Sequence, residues 1–148
     1  KSMGRFRCTG SYMITVFGSL NVDYVFQVAQ LPAPGETVLA TNMEVLPGGK
    51  GGNQALAAAK AGAKVHMVGA VGKDGLGAIA IAGLMAAGVN TSAVTQSLKP
   101  TGTAAINVDA AGENAITVSA GANLEATGES LDASQLNPRT LKTTPHLV

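Results

Sequence analysis

Short apolar runs ending in glycine alternate with helix-prone stretches along most of this chain. Residues 14–18 (ITVFG) form the first run and have the pattern of a buried parallel strand. Residues 23–28 and 36–45 are β-rich and partly alternating. A Pro- and Gly-bearing turn at 31–35 separates them, which predicts an antiparallel hairpin or flap. A glycine loop at 48–53 then leads into a helix-prone stretch at 54–61 (QALAAAKA), with Gly62 where a C′ cap belongs. Residues 65–71 predict another buried strand, and 77–87 a second helix closed by Gly88. Strand, helix, strand, helix in this order implies βαβ units and a parallel sheet. Residues 103–109 and 114–119 alternate around 110–113, which predicts a second hairpin. Residues 124–136 read as a further helix, weakened by Gly128. No internal repeat is present.

The two ends break this pattern. Residues 1–12 have no period and are expected to be a non-native leader. Residues 137–148 (NPRTLKTTPHLV) are expected to be a tail unlike the rest, leaving 13–136 as the folded unit. Charge follows the same division: the leader carries +3, the tail +2 and the body −4, which gives the formal net +1.

Composition narrows the class. At 148 residues, 46% hydrophobic and 13% charged, the chain reads as globular and has the length of one domain. No apolar run approaches the roughly 18 residues of a membrane span, so no membrane partner is expected. The single cysteine, Cys8, cannot form an internal disulfide and points to a reducing, cytoplasmic setting. With only two histidines besides, a structural zinc site is not expected. The last aromatic residue is Phe26, and the body has no basic patch. Single-stranded nucleic acid therefore has no stacking platform here, and nucleic acid is not expected as a partner.

Two local patterns carry candidate chemistry. The first is Pro47-Gly-Gly-Lys-Gly-Gly-Asn53, which feeds a helix. Its glycines let the backbone approach a ligand, and the helix start offers unpaired N–H groups to oxygen-rich ligands. Lys50 and Asn53 can add donors. The plainer reading is a flexible turn with Asn53 as N-cap. A Walker-type phosphate loop fails because Gly51, not Ser or Thr, follows Lys50. The second pattern is Gly18-Ser-Leu-Asn-Val-Asp23, just past the first strand, where open α/β sheets place ligands. Asn21 and Asp23 are two apart, so an extended chain turns both to one side, where an amide and a carboxylate suit vicinal hydroxyls. Asn and Asp also bond their own backbone in turns, so turn chemistry stays open here.

Other features read as structural. Gly75-Leu-Gly-Ala-Ile-Ala80 imitates a dinucleotide fingerprint but lacks the acid about 20 residues on, and close helix packing explains it. His66 lies within an apolar strand and reads as a core residue. Glu125 and Glu129 fit a solvated helix face.

In sequence order, the chain contains Gly18-Ser-Leu-Asn-Val-Asp23, Pro32-Ala-Pro-Gly-Glu-Thr37, Gly48-Gly-Lys-Gly-Gly-Asn-Gln54 and Gly62. Val71-Gly-Lys-Asp74, Thr101-Gly-Thr103, Gly112-Glu-Asn114 and Ala120-Gly-Ala-Asn123 follow. This series resembles the ribokinase (PfkB-type) family of sugar and nucleoside kinases over residues 13 to about 125. The last two pieces lean towards its ribose-phosphorylating members. The resemblance implies a ribokinase-like α/β parallel-sheet domain with a small antiparallel β-sheet lid. The lid would be the strands around 23–28, 36–45, 103–109 and 114–119. It implies ATP-dependent phosphorylation of D-ribose to ribose 5-phosphate, with ATP, Mg2+ and a monovalent cation such as K+. Fructose, another sugar or a nucleoside are the alternative substrates.

Carried over by the resemblance, Asn21, Asp23, Gly49, Lys50 and Asn53 bind sugar hydroxyls, while Ala104 and Val118 give apolar lid contacts. A homodimer through the lid strands is implied as well. The family's catalytic aspartate lies in a Gly-Ala-Gly-Asp motif that these 148 residues do not contain. The expectation is therefore a sugar-binding half without the catalytic and nucleotide half. By itself it would be inactive as a kinase, a truncated sugar-binding or lid-dimerising fragment.

Overall fold

The computed structural model describes residues 13–128. The expected leader, the tail, Glu129 and most of the helix expected over 124–136 lie outside the described residues.

Within them the chain runs β1 (Met13–Phe17), β2 (Asn21–Val28), β3 (Ala40–Gly48), α1 (Lys50–Lys60), β4 (Lys64–Gly72) and α2 (Gly75–Ala86). It continues through β5 (Asn90–Ser97), β6 (Gly102–Val108) and β7 (Asn114–Ser119) to a short 3-10 turn at Gly121–Glu125. Two sheets result. The body sheet is parallel, in the order β1-β4-β5. The second sheet, the lid, has the order β3-β2-β6-β7.

The body core follows from residue alternation along β4. Val65, Met67 and Val71 share one face and pack with Ala55 of α1 and Ala80 and Leu84 of α2. Both helices therefore cover the same side of the sheet. Small residues on the helices let them sit close: a β-carbon at Gly77 would lie 2.6 Å from the Gly72 carbonyl oxygen. Within the Gly75-Leu-Gly pattern only Gly77 takes this close-packing role, since a β-carbon on Gly75 would meet nothing within 4 Å. His66 faces the other side, is buried at 4% exposure, and its Nε2 has no partner among the described residues. The two helices end as expected, with Gly62 at φ +91° and Gly88 at φ +76°.

Four expectations need correction. The lid is mixed, because its two antiparallel hairpins, β2-β3 and β6-β7, are joined by a parallel β2-β6 pairing. The strand expected over 36–45 is shifted to Ala40–Gly48 and includes Pro47. β3 is an edge strand, so the missing N–H of Pro47 costs no ladder bond on its outer side. Helix α1 begins at Lys50 rather than residue 54, with Gly51 and Gly52 buried in its first turn. Glycine there is poor for helix propensity, but the backbone packing described below leaves no room for a side chain at Gly51, and a β-carbon at Gly52 would meet Leu20 Cδ2 at 3.3 Å. Strand β5 was not expected, because NTSAVTQS is polar and lies at the sheet edge with much of its surface exposed.

Two chain crossings lead from the body into the lid, and the chain returns to the body at Gly49 between β3 and α1. The first, 18–20, leads from β1 to β2. The second, 98–101, leads from β5 to β6. Asp74 secures the second. Its Oδ1 caps α2 by accepting from Gly77 N at 2.9 Å and also accepts from Thr101 Oγ1 at 2.6 Å. Its Oδ2 accepts from Thr101 N at 2.8 Å. Thr101 Oγ1 in turn accepts from Gly72 N at 2.9 Å. The Val71-Gly-Lys-Asp74 and Thr101-Gly-Thr103 motifs are thus two halves of one joint.

The Thr101 hydrogen bonds are the main cause that holds the Asp74 carboxyl below its ordinary pKa of 3.8. A depressed carboxylate stabilises the fold fully above the ordinary value, and that contribution is lost as pH falls through the lowered one. Asp74→Ala is expected to cost about 1–2 kcal/mol at pH 7 by urea denaturation. Asp74→Asn should flatten the loss of stability below pH 3.8. A loss of only a few tenths for the alanine variant would show that Asp74 is not a structural joint.

Candidate functional site

The site is built where α1 meets the end of β1. Gly18 N donates to Val68 O at 3.1 Å, which ties the first crossing to β4. Gly52 N donates to Ser19 O at 3.0 Å, which ties α1 to the same crossing. The backbones touch so closely that a β-carbon on Gly51 would lie 2.6 Å from Gly18 C. Gly49 takes φ +89°, and its β-carbon would lie 2.6 Å from Ser19 O and 2.9 Å from Asn21 N. Gly49 is the N-cap residue of α1 and has no side-chain cap. Asn53, read from sequence as a possible N-cap, stands inside the helix and is exposed. Lys50 and Asn53 are three apart in α1 and so lie on one side of its first turn.

Asp23 stands over this loop. A β-carbon on Gly48 would fall 2.2–2.3 Å from the Asp23 carboxyl atoms, so the absence of a side chain at 48 makes the space that Asp23 occupies. Asp23 is half-buried, and burial raises its carboxyl above the ordinary 3.8.

Strand register brings further residues into line. Leu46, Asp23, Ala104 and Val118 are consecutive partners across β3, β2, β6 and β7, so all four project from the same face of the lid. Three residues that are far apart in sequence, Asp23, Ala104 and Val118, thus form one row. Ala104 is 5% exposed, whereas Leu46 and Val118 are 43% and 55% exposed. Asn21 lies two residues before Asp23 on the same strand face and is buried at 8% exposure. Its Oδ1 accepts from Asn123 Nδ2 at 2.7 Å.

An open cleft of about 440 Å³ lies elsewhere, at the start of α2, among Val71, Lys73, Asp74, Ile81 and Gln96. It shares no lining residue with the Asp23 row, and Asp74 already caps the helix that faces it. Among the described residues no group of three or more His, Cys, Asp or Glu could hold a metal ion. No helix among them is long and apolar enough to cross a membrane.

Residues 12–141 match the family model described as pfkB family carbohydrate kinase. The chain belongs to that family. Ribokinase of Bacillus subtilis is 47% identical over 117 residues, which cover 77% of this chain and 39% of that protein. The crystal structure of ribokinase from Thermotoga maritima matches with a TM-score of 0.74 at 39% identity, covering 81% of this chain and 40% of that one. The structure of Arabidopsis thaliana ribokinase complexed with ribose and ATP matches with a TM-score of 0.66 at 34% identity, covering 75% of this chain and 36% of that one. The chain therefore spans well under half the length of the curated relatives it matches. The ribokinase-type fold that the motif series implied is the fold observed.

Three contributors to the geometry of this candidate site escaped the reading of single residues. Leu46 fell one residue beyond the expected strand. Gly48 was grouped with the glycine loop, and only the position of Asp23 reveals why it must lack a side chain. Asn123 belongs to a quoted motif, but nothing in sequence links it to Asn21, about a hundred residues away.

The raised Asp23 carboxyl sets a stability prediction. The protonated form is favoured in the folded state, so its stability is full below pH 3.8 and is lost as pH rises through the raised value. Asp23→Asn is expected to raise the melting temperature of the ligand-free chain at pH 7 and to leave it unchanged at pH 3. An equal or lower melting temperature at pH 7 would contradict a burial cost at this position.

Proposed function

We propose that this chain carries the sugar-binding part of a carbohydrate kinase that phosphorylates ribose. The observation that carries the reading is the half-buried Asp23 carboxylate over Gly48, with Asn21 beside it on one strand face. Asn21, Asp23, Gly49, Lys50 and Asn53 bind the sugar hydroxyls, and Ala104 and Val118 supply apolar contacts from the lid. A polyol suits such a mixture, because each hydroxyl both donates and accepts. Family membership and the 47% identity to a ribokinase support ribose over fructose, another sugar or a nucleoside.

The phosphoryl donor in this reading is ATP, supported by the relative solved with ribose and ATP. Phosphoryl transfer of this kind works by positioning and charge stabilisation. Mg2+ and a monovalent cation such as K+ would complete the charge stabilisation in this reading, and no step is routed through either. Asp23 serves as a substrate ligand rather than as the base. Residues 13–136 act as the sugar-side unit. A second reading, a lid-dimerising fragment without catalysis, draws on the exposed Leu46, Ile116 and Val118 of one lid face. Sedimentation tests it: a monomer at high micromolar concentration would end it.

Ribose binding can be followed by calorimetry and NMR titration. Affinity is expected to be weaker than micromolar and to fall as pH drops through the raised Asp23 value, where the carboxylate is lost. Gly48→Ala should displace the Asp23 carboxyl and weaken binding about tenfold or more while the fold is kept. Unchanged affinity in that variant would remove Asp23 from the site.

The purified 148-residue chain is expected to show no ATP-dependent phosphorylation of ribose. Measurable turnover would place a catalytic base within these residues.

A further inference from the structure

Resting on the sugar-site reading above, we propose that Asn123 is a positioning residue that decides which polar group Asn21 presents to a ligand. Its side chain is held at the base of the lid by four hydrogen bonds. Oδ1 accepts from Leu20 N at 2.8 Å. Nδ2 donates to Leu20 O at 3.2 Å, to Ala120 O at 3.0 Å and to Asn21 Oδ1 at 2.7 Å. Two protons serve three acceptors, and the shortest of these contacts goes to Asn21.

The surroundings reserve space for that bond. A β-carbon on Gly102 would lie 2.3 Å from both Asn123 Nδ2 and Asn21 Oδ1. Gly102 is the register partner of Asn21 across the parallel lid pairing, so a side chain there would project into the amide pair. Asn21 is 8% exposed, and a turned amide could not be compensated fully by water.

The chemical consequence is a choice of polarity. With Oδ1 committed to Asn123, the Asn21 amide presents Nδ2, a donor, beside the Asp23 carboxylate, an acceptor. A donor next to an acceptor fits neighbouring sugar hydroxyls, one accepting and one donating. The turned amide would set two acceptors together and leave the pair without a donor for a hydroxyl oxygen. Asn123 thereby enforces the donor state of Asn21 without touching the sugar.

The test is an NMR titration of the full 148-residue chain with ribose, in wild type, Asn21→Ala, Asn123→Asp, Asn123→Ala and the Asn21→Ala/Asn123→Ala double variant. Asn123→Asp keeps the shape and the acceptor for Leu20 N, but sets a carboxylate oxygen against Asn21 Oδ1. It is expected to weaken ribose binding about tenfold or more, matching Asn21→Ala. The double variant is expected to lose no more affinity than Asn21→Ala alone, although melting temperatures fall in each. A purely structural Asn123 would lower the melting temperature and leave the Kd of the folded protein unchanged, and that result overturns the proposal. Should the Asn123 variants not fold, the side-chain amide resonance of Asn21 in the wild type decides: ribose is expected to shift it, and no shift overturns the proposal. Wild type that fails to bind ribose at all overturns the sugar-site reading, and this proposal falls with it. Wild-type binding that is lost in Asn21→Ala but kept in Asn123→Asp overturns this proposal alone.

Discussion

Backbone packed on backbone between Gly18-Ser19 and Gly51-Gly52 is the constraint on which the site geometry depends. A β-carbon on Gly18 would sit 2.9 Å from Gly51 Cα, so neither position tolerates even a methyl group without movement of main chain. This contact fixes how deeply α1 enters the body. Its depth sets the path of Gly48 and Gly49, which leave β3 and turn into the helix beneath Asp23. The low helix propensity of two glycines in a first turn is offset by that packing and by the bond from Gly52 N to Ser19 O.

The lid is held at its base by polar clamps as well as by Val22 of β2, which is buried in the body's apolar cluster with Tyr24 packed against it. One clamp is a neutral amide, Asn123, on the crossing into β2. The other is a carboxylate, Asp74, on the crossing into β6. The 3-10 turn Gly121–Glu125 links them, because Ala122 N donates to Pro100 O at 2.8 Å beside Thr101. Beyond its base the lid shows apolar surface, with Leu46, Ile116 and Val118 each more than two-fifths exposed.

Much of this architecture was legible in the residues. Apolar runs closed by glycine located β1, β4 and both helices, and alternation located both hairpins. The ordered motifs pointed to the family and to Asn21 and Asp23. What stayed hidden depended on tertiary partners. Strand β5 is polar because it is an edge. The early start of α1 is a packing effect that overrides propensity. The parallel β2-β6 seam cannot be seen from two hairpins read separately, since each is complete by local pattern alone. The cross-strand row of Leu46, Asp23, Ala104 and Val118 requires the register of three pairings at once.

That seam also orders events during folding. Each hairpin closes a short loop and can form early by itself. The seam joins partners such as Asn21 and Gly102, which the intervening body separates in sequence. The loop-closure cost falls most heavily on this seam, and a folded body, which sets the two crossings side by side, lowers it. A completed seam is in this sense a readout of a folded body: the row of Leu46, Asp23, Ala104 and Val118 is continuous only once both crossings lie side by side.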